Sequence, residues 1–247
     1  MLLMLGLFAV GLVAGFIDAI AGGGGLLTLP SLLLTGIDPK LALGTNKGQG
    51  VFGTATSLHR FWNSSLLDRR RAMQSFPPGL IGAAVGVFMV TRLRNDVLAP
   101  LVMVLLLVAA VAMIVQRPPA THKPARHQPW WLAATVAFGL AWYDGFFGPG
   151  TGTFLILSYT WLWRDRLDVA SANAKVVNFA SNLASMVTFA AMGKIVWGLA
   201  LPMAAGQVIG GWLGAHATIK VGRQLVRYAV IAVSLALIVR LGWRWFG

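Results

Sequence analysis

Residues 15–53 read GFIDAIAGGGGLLTLPSLLLTGIDPKLALGTNKGQGVFG, a stretch that places polar groups inside apolar sequence. It contains the carboxylate of Asp18, four consecutive glycines and the ammonium group of Lys47. Because a charge at the centre of a bilayer costs at least about 2.5–3.5 kcal/mol, these charges are candidates for function. The glycines permit a tight turn and leave backbone N–H groups uncovered at the start of the next helix.

The stretch has a counterpart in the second half of the chain. YDGFFGPGTGT at 143–153 corresponds to its aspartate and glycine part, and ANAK at 172–175 corresponds to GTNK at 44–47. Asp144 follows Asp18 by 126 positions, and Lys175 follows Lys47 by 128. A nearly constant offset predicts a duplication. We therefore predict a first transmembrane repeat at 1–115, a basic proline-rich linker at 116–129 and a second repeat at 130–247.

The composition indicates an all-α integral membrane protein. The chain is 57% hydrophobic and 11% charged, whereas a soluble domain carries about 25% charged residues. The net charge of +13 comes from cations placed mainly between the apolar runs, which is typical of topology signals rather than of nucleic-acid binding. The chain has no cysteine, and its four histidines lack ligand-like spacing, so we expect no metal and no cofactor.

Apolar runs predict about eight membrane-spanning helices, at 2–20, 47–62, 76–91, 97–115, 130–147, 173–192, 197–218 and 224–242. The runs at 26–35 and 152–163 are too short to cross a bilayer and predict one broken or re-entrant segment in each half. Loops are predicted at 36–46, 63–75 and 164–168. A signal peptide ending near Ala21 is the alternative for the first run, but no basic residue precedes that run, so we expect it to be retained.

Two topologies fit these runs. If the short segments are re-entrant, the halves are parallel and the lysines and arginines divide evenly between the two sides. If the short segments cross, the halves are inverted, and thirteen of the twenty basic residues lie on one side. The tendency of basic residues to stay in the cytoplasm favours the inverted version, with both termini outside.

The polar residues around the glycine turns predict a site for a small anion. Helix N-termini bind anions through free N–H groups and the helix dipole, and two lysines add positive charge. The predicted contact residues are Gly22, Gly23, Gly24, Gly25, Thr45, Asn46, Lys47, Gly148, Gly150, Thr151, Thr153, Asn173, Lys175 and Asn178. Asp18 and Asp144 have two interpretations: structural ion pairs with the lysines, or proton-coupling sites.

The sequence resembles the TauE/SafE family of sulfite exporters, in particular its YfcA-like branch. The similarity lies in the 15–53 stretch, in YDGFFGPGTGTFLILSY and in ANAKVVNFASNLAS. It implies a bacterial inner-membrane permease of about eight helices in two repeats, acting on sulfite or other small sulfur-containing anions.

These observations favour a secondary transporter, and not an enzyme, whose partners are a small anion and the lipid bilayer, with no nucleic acid. The nucleotide-binding motif GxxxxGK[ST] is absent from the sequence. The alternative is a membrane-embedded enzyme or lipid-handling protein, which would require a nucleophile with a base or a cluster of acids and histidines. The substrate, the direction of transport, the coupling ion and the oligomeric state stay open.

Overall fold

The computed structural model describes residues 1–115 and 126–221, and within these ranges the chain is helical without any strand. The helices are α1 (Leu2–Ala21), α2 (Gly25–Leu33), α3 (Pro39–Trp62), α4 (Arg69–Arg92), α5 (Asn95–Val115), α6 (Trp130–Phe146), α7 (Thr151–Ser158), α8 (Leu167–Ala191) and α9 (Trp197–Val221). A π-helical segment, Tyr159–Trp163, continues α7. The all-helical class is confirmed. The span predicted at 224–242 and most of the predicted linker lie outside the described residues.

Helix α3 begins earlier than predicted, so the predicted loop at 36–46 is wrong from residue 39 onwards. Asp38 caps the helix, its carboxylate accepting a hydrogen bond from the Lys40 N–H at 2.8 Å. Pro39 occupies the first turn, where its missing N–H costs nothing. Lys47 therefore lies inside a helix, on a fixed scaffold, and not at the end of a loop.

Two other helices also begin before their predicted positions. Helix α4 starts at Arg69 and not at residue 76, because the Asp68 carboxylate caps it by accepting from the Arg71 N–H at 3.1 Å. Helix α8 starts at Leu167 and not at 173. The predicted charged loops include the first turn of α4, which is formed by three arginines, and Asp168 in the first turn of α8. Charge alone does not prevent helix formation.

The helix breaks occur at the predicted glycines. Helix α1 ends at Gly22, whose φ of 75° is left-handed, and Gly148 and Gly150 have φ values of 101° and 88° before α7. Residues with a Cβ rarely adopt this conformation, which explains why glycine stands at these three positions. The breaks leave two short helices, α2 with nine residues and α7 with eight.

The long helices pack through small residues. Helix α1 contacts α9, α4 contacts α6, and α3 lies against both α8 and α9. A Cβ added to Gly11 of α1 would lie 2.2 Å from the Met203 carbonyl oxygen of α9, and one added to Gly82 of α4 would lie 2.3 Å from that of Phe138 in α6. Such backbone contact is typical of helices that associate in membranes.

Contacts along α9 show that α1 and α3 both run parallel to it. Gly11 and Gly15 of α1 face Met203 and Gln207 respectively, so both helices advance together. Gly53 of α3 also faces Gln207, and Arg60, two turns later, contacts His216. Because α1 and α3 are parallel, the chain between them returns through α2 and residues 34–38.

Helices α8, α4 and α6 run the other way. Gly44 of α3 lies near Phe189 of α8, whereas Gly50 lies near Asn182, so these helices are antiparallel. Helix α4 runs parallel to α8, since the Asp68 N–H donates a hydrogen bond to Asn173, and Gly79, one helical stretch later, faces Ala180. Helix α6 runs parallel to α4, because Gly82 contacts Phe138 and Gly86, one turn later, contacts Trp142.

The outward faces of the long helices are apolar. Exposed side chains include Ile81 and Phe88 on α4, Val104 and Val108 on α5, and Leu201 on α9. By length and hydropathy alone, α1 and α4 each qualify as a membrane span. Large apolar side chains distributed around a bundle in this way match a lipid environment.

Candidate functional site

Two buried ion pairs connect the two parts of the chain. The Lys47 Nζ lies 2.7 Å from the Asp144 Oδ1, and the Lys175 Nζ lies 2.8 Å from the Asp18 Oδ2. In each pair, the lysine comes from α3 or α8 and the aspartate from α6 or α1. The lysine side chains are 3% and 0% exposed, so each needs a counter-charge to offset its desolvation. The two aspartates are therefore partners of the two lysines.

The two pairs differ in their second contacts. The Asp144 Oδ2 accepts a hydrogen bond from the hydroxyl of Ser181 on α8. The Lys175 ammonium donates a second hydrogen bond, to the backbone carbonyl of Asp18. Lys175 thus holds the last turn of α1 by both main chain and side chain, whereas the only acceptor of Lys47 among the described residues is the Asp144 carboxylate.

The two helix breaks meet each other in space. A Cβ on Gly22 would lie 2.2 Å from the carbonyl carbon of Gly152, and one on Gly25 would lie 3.2 Å from the Cα of Pro149. A Cβ on Gly148 would lie 2.9 Å from the Lys47 Nζ. Glycine at these positions lets the α1–α2 turn, the α6–α7 turn and the Lys47 ammonium come together.

A small polar cavity of about 40 Å³ lies at this junction. Its lining combines carboxylates, amides, hydroxyls, glycines and one ammonium: Asp18, Gly22, Gly25, Thr28, Asn46, Lys47, Gln49, Gly50, Thr54, Asp144, Gly148, Thr151, Gly152, Asn178, Asn182 and Gln207. A cavity needs about 10–15 Å³ to hold one water molecule, so this one accommodates very few. Only a small ligand matches its size.

Two residues with free backbone donors line the same cavity. Gly25 is the first residue of α2, and Gly152 is the second residue of α7. Their N–H groups have no acceptor in the part of the chain that the structure describes. Free N–H groups at helix N-termini carry partial positive charge and attract anions, which adds to the charge of Lys47.

An amide cluster forms one wall. The Asn46 Oδ1 accepts hydrogen bonds from the Thr28 hydroxyl at 2.5 Å and from the Gln49 side-chain amide at 3.1 Å. These bonds attach α2 to α3 and fix the position of the turn that precedes α2. They place the amide groups within reach of a ligand in the cavity.

Nine of the sixteen predicted site residues line the cavity: Asp18, Gly22, Gly25, Asn46, Lys47, Asp144, Gly148, Thr151 and Asn178. The others do not: Gly23, Gly24, Thr45, Gly150, Thr153, Asn173 and Lys175. Several of these seven make structural bonds instead. The Thr45 hydroxyl accepts from the Val196 N–H at 3.0 Å, and the Thr153 hydroxyl donates to the Ala21 carbonyl at 2.7 Å.

Seven lining residues were not among the predicted contact residues: Thr28, Gln49, Gly50, Thr54, Gly152, Asn182 and Gln207. A signal existed for two of them. Gln207 is a polar amide in an otherwise apolar part of α9, and Asn182 lies one turn after Asn178 on α8. Polar side chains within a span usually face a cavity or another helix. In the described ranges, no group of three or more histidines and acids is placed to hold a metal ion.

Charges buried at paired helix breaks, within a helical bundle of apolar exterior, define a membrane protein of the transporter class. The chain belongs to the TauE/SafE sulfite exporter family, whose model matches residues 7–241. The resemblance inferred from the sequence is therefore confirmed.

The relatives have transporter names. The chain is 37% identical to a probable membrane transporter protein of Haemophilus influenzae, over 96% of this chain and 95% of that one. It is 33% identical to one from Sinorhizobium and 32% identical to YfcA of Escherichia coli, covering at least 95% of this chain and 90% of each relative. No solved structure matches the chain. The family and these names indicate a probable membrane transporter.

Proposed function

We propose that this protein is a multi-pass secondary transporter of the bacterial inner membrane that moves a small anion through the cavity between the helix breaks. The observation that carries the proposal is the position of Lys47. Its ammonium group is buried at the cavity and has three N–H bonds, of which one is directed to the Asp144 carboxylate. Gly25 and Gly152, whose N–H groups have no acceptor among the described residues, line the same cavity.

The charge arrangement supports an anion as the substrate. The ammonium group, the two backbone donors and the surrounding side-chain amides offer hydrogen to a ligand, and helix N-termini favour negative charge. A small oxyanion has several acceptor atoms in a compact volume and fits such donors. Sulfite or an organosulfonate has this chemistry, and the family's description refers to sulfite.

Two inverted repeats account for the arrangement of helices. Each lysine–aspartate pair joins the two parts of the chain: the lysine before the linker pairs with the aspartate after it, and the lysine after the linker pairs with the aspartate before it. Helices α1 and α3 run opposite to α6 and α8, their proposed counterparts. This direction supports the repeat boundaries at 1–115 and 130–247 and the crossing, inverted topology, with eight long helices if 224–242 forms the last one.

The basic residues support an orientation. The end of the bundle where α3 ends and α4 begins holds eight described cations: Arg60, Arg69, Arg70, Arg71, Arg126, Arg164, Arg166 and Lys220. The opposite end holds Lys40, Arg92, Arg94 and Lys194. By the positive-inside rule, we assign the first end to the cytoplasm.

The two aspartates are the candidates for proton coupling. Asp18 and Asp144 both line the cavity and both neutralise a lysine. A proton on an aspartate would release its lysine, and of the two lysines Lys47 lines the cavity where a substrate anion would bind. Coupling to a proton gradient in this way requires no nucleotide, and the nucleotide-binding motif is absent from the sequence.

Flux measurements on purified protein in liposomes test the proposal. We expect wild-type protein to exchange labelled sulfite or a sulfonate and Lys47→Ala to abolish the exchange. Because Lys47→Ala leaves Asp144 unpaired, Lys47→Gln/Asp144→Asn removes both charges and separates lost transport from lost folding. Lys40→Ala, a change in the first turn of the same helix, is the matched control. Wild-type flux in the folded double variant would refute the role of Lys47.

A further inference from the structure

Ser181 lies between two hydrogen-bond acceptors. Its hydroxyl contacts the Asp144 Oδ2 and also lies 3.1 Å from the backbone carbonyl oxygen of Asn178. A hydroxyl has one hydrogen to donate and lone pairs that accept. It therefore has two satisfied states. In one it donates to an ionised Asp144. In the other it donates to the Asn178 carbonyl and accepts a hydrogen bond from a protonated Asp144.

Asp18 has no comparable neighbour. Among the described residues, the hydrogen-bond partner of its carboxylate is Lys175, and the same ammonium also binds the Asp18 backbone carbonyl. Protonation of Asp18 would leave Lys175, which is fully buried and does not line the cavity, without a counter-charge. The cost of an unpaired buried charge keeps this pair closed.

The charge balance of the site requires a proton to accompany an anion. Two lysines and two aspartates cancel at the junction, so an added anion leaves one uncompensated negative charge in a buried environment. Lys47 can bind the anion only if its ion pair with the Asp144 carboxylate is broken. A proton on that carboxylate removes the excess negative charge, and it also ends the competition between Asp144 and the anion for Lys47.

We propose, on the basis of the transport function proposed above, that the substrate anion replaces the Asp144 carboxylate on Lys47 while Asp144 takes up one proton from water. Ser181 then turns its O–H to the Asn178 carbonyl and accepts the hydrogen bond of the new carboxylic acid. One proton enters with each negative charge. Asp144 is thus the coupling group, and the Lys175–Asp18 ion pair remains intact during transport.

Few other charged groups act on Asp144. Lys47 of α3 faces it directly, Asp18 of α1 lines the same cavity, and Tyr143 precedes it on α6. From α8, Lys175 is held at Asp18, and α7 has no titratable side chain between Thr151 and Ser158. The α4 face against α6 is formed by glycines and apolar residues around Gly82 and Gly86.

Binding of methanesulfonate as a function of pH tests the coupling, because this anion keeps one negative charge between about pH 5 and pH 8. Uptake of one proton makes the affinity rise by up to about tenfold for each unit that the pH falls. We expect the wild type to show this slope and Asp144→Asn, which imitates the protonated acid, to lose it. Lys175→Met/Asp18→Asn, which removes the second pair without leaving a buried unpaired charge, should keep the slope. A slope that survives Asp144→Asn or disappears in Lys175→Met/Asp18→Asn would overturn the assignment.

Variants of Ser181 test its positioning role. Ser181→Ala removes a charge-assisted hydrogen bond from the ionised Asp144 and a weaker, neutral one from the protonated acid, so the midpoint of the pH profile should move to higher pH. Ser181→Thr retains the hydroxyl and should restore the midpoint. Ser185→Ala is the matched control, since Ser185 is buried one turn further along α8 and its hydroxyl has no partner among the described residues. An unchanged midpoint in Ser181→Ala would contradict the switch.

The same measurements separate the two proposals. Wild-type protein that binds methanesulfonate equally at every pH would refute the coupling and leave anion transport standing. Wild-type protein that neither binds methanesulfonate nor exchanges sulfite would refute the proposed function, and the coupling with it.

Discussion

Lys47 and Asp144 are 97 positions apart in the sequence, and their charged atoms lie 2.7 Å apart inside the helical bundle. The pair joins α3 to α6, and its reciprocal pair, Lys175 and Asp18, joins α8 to α1. The two parts of the chain are therefore held together by charge at the place where both helix breaks meet. Both stability and transport are expected to depend on this arrangement.

The stability of the Lys47 pair is testable by charge removal. Lys47→Met leaves the buried Asp144 carboxylate without a counter-charge and should lower the free energy of unfolding by roughly 3–5 kcal/mol. Adding Asp144→Asn removes the unpaired charge and should recover most of that loss. Thermal unfolding in detergent measures both, with Lys175→Met and Lys175→Met/Asp18→Asn as the matched series. A double variant no more stable than Lys47→Met would show that the charges do not interact as the distance indicates.

The contact between the helix breaks predicts an effect of Gly22→Ala. Gly22 and Gly36 both have left-handed φ values, 75° and 83°, so alanine strains the backbone by roughly 1–2 kcal/mol at each. A Cβ on Gly36 meets no atom within 4 Å, whereas one on Gly22 meets the Gly152 backbone. Gly22→Ala should therefore cost roughly 1–3 kcal/mol more than Gly36→Ala. Equal thermal stability of the two variants would argue against the close approach.

The ion pair between Arg71 and Asp165, which lies in the turn before α8, predicts that the stability of an Arg71 variant depends on pH. Burial raises the pKa of Asp165, and the hydrogen bond and charge of Arg71 oppose this rise. In Arg71→Gln the causes that remain, burial and the negative charge of Asp68, both raise the pKa of Asp165, so its folded-state pKa rises further above the unfolded value of about 3.9. The variant should be relatively most stable below about pH 4 and lose stability as the pH rises through the folded-state pKa. Thermal unfolding across this range measures the effect.

The control for this prediction is Arg71→Gln/Asp165→Asn, which has no carboxylate to titrate at that position. Its stability difference from the wild type should be nearly constant over the same pH range. A similar pH dependence in the double variant would assign the effect to another group.

The inverted topology predicts which loops a membrane-impermeant thiol reagent reaches. The chain has no cysteine, so single substitutions report without background. Leu34 and Met192, both exposed, lie at one end of the bundle, and Ser65 lies at the other. We expect Leu34→Cys and Met192→Cys to react in intact cells and Ser65→Cys to react only after the membrane is opened. Labelling of Leu34→Cys and Met192→Cys from opposite sides would favour parallel halves.

The helices were largely predictable because their signal is local. Apolar runs and glycine turns depend on neighbouring residues, and the structure has a helix at each described run and a break at Gly22 and at Gly148–Gly150. The predicted helix starts were late where a charged first turn was read as a loop. At Asp38 the information was present, since aspartate followed by proline is a common N-terminal cap.

The sequence by itself determined the class of protein, the positions of the breaks and the four charged residues that need partners, because hydropathy and the cost of a buried charge are properties of each residue in its segment. Only the tertiary structure decided that Lys47 pairs with Asp144 and Lys175 with Asp18, and that Lys47 alone of the two lysines reaches the cavity. These facts depend on which helices touch and in which direction they run. Contacts between distant helices come from packing of whole surfaces, for which no local pattern exists in a single sequence.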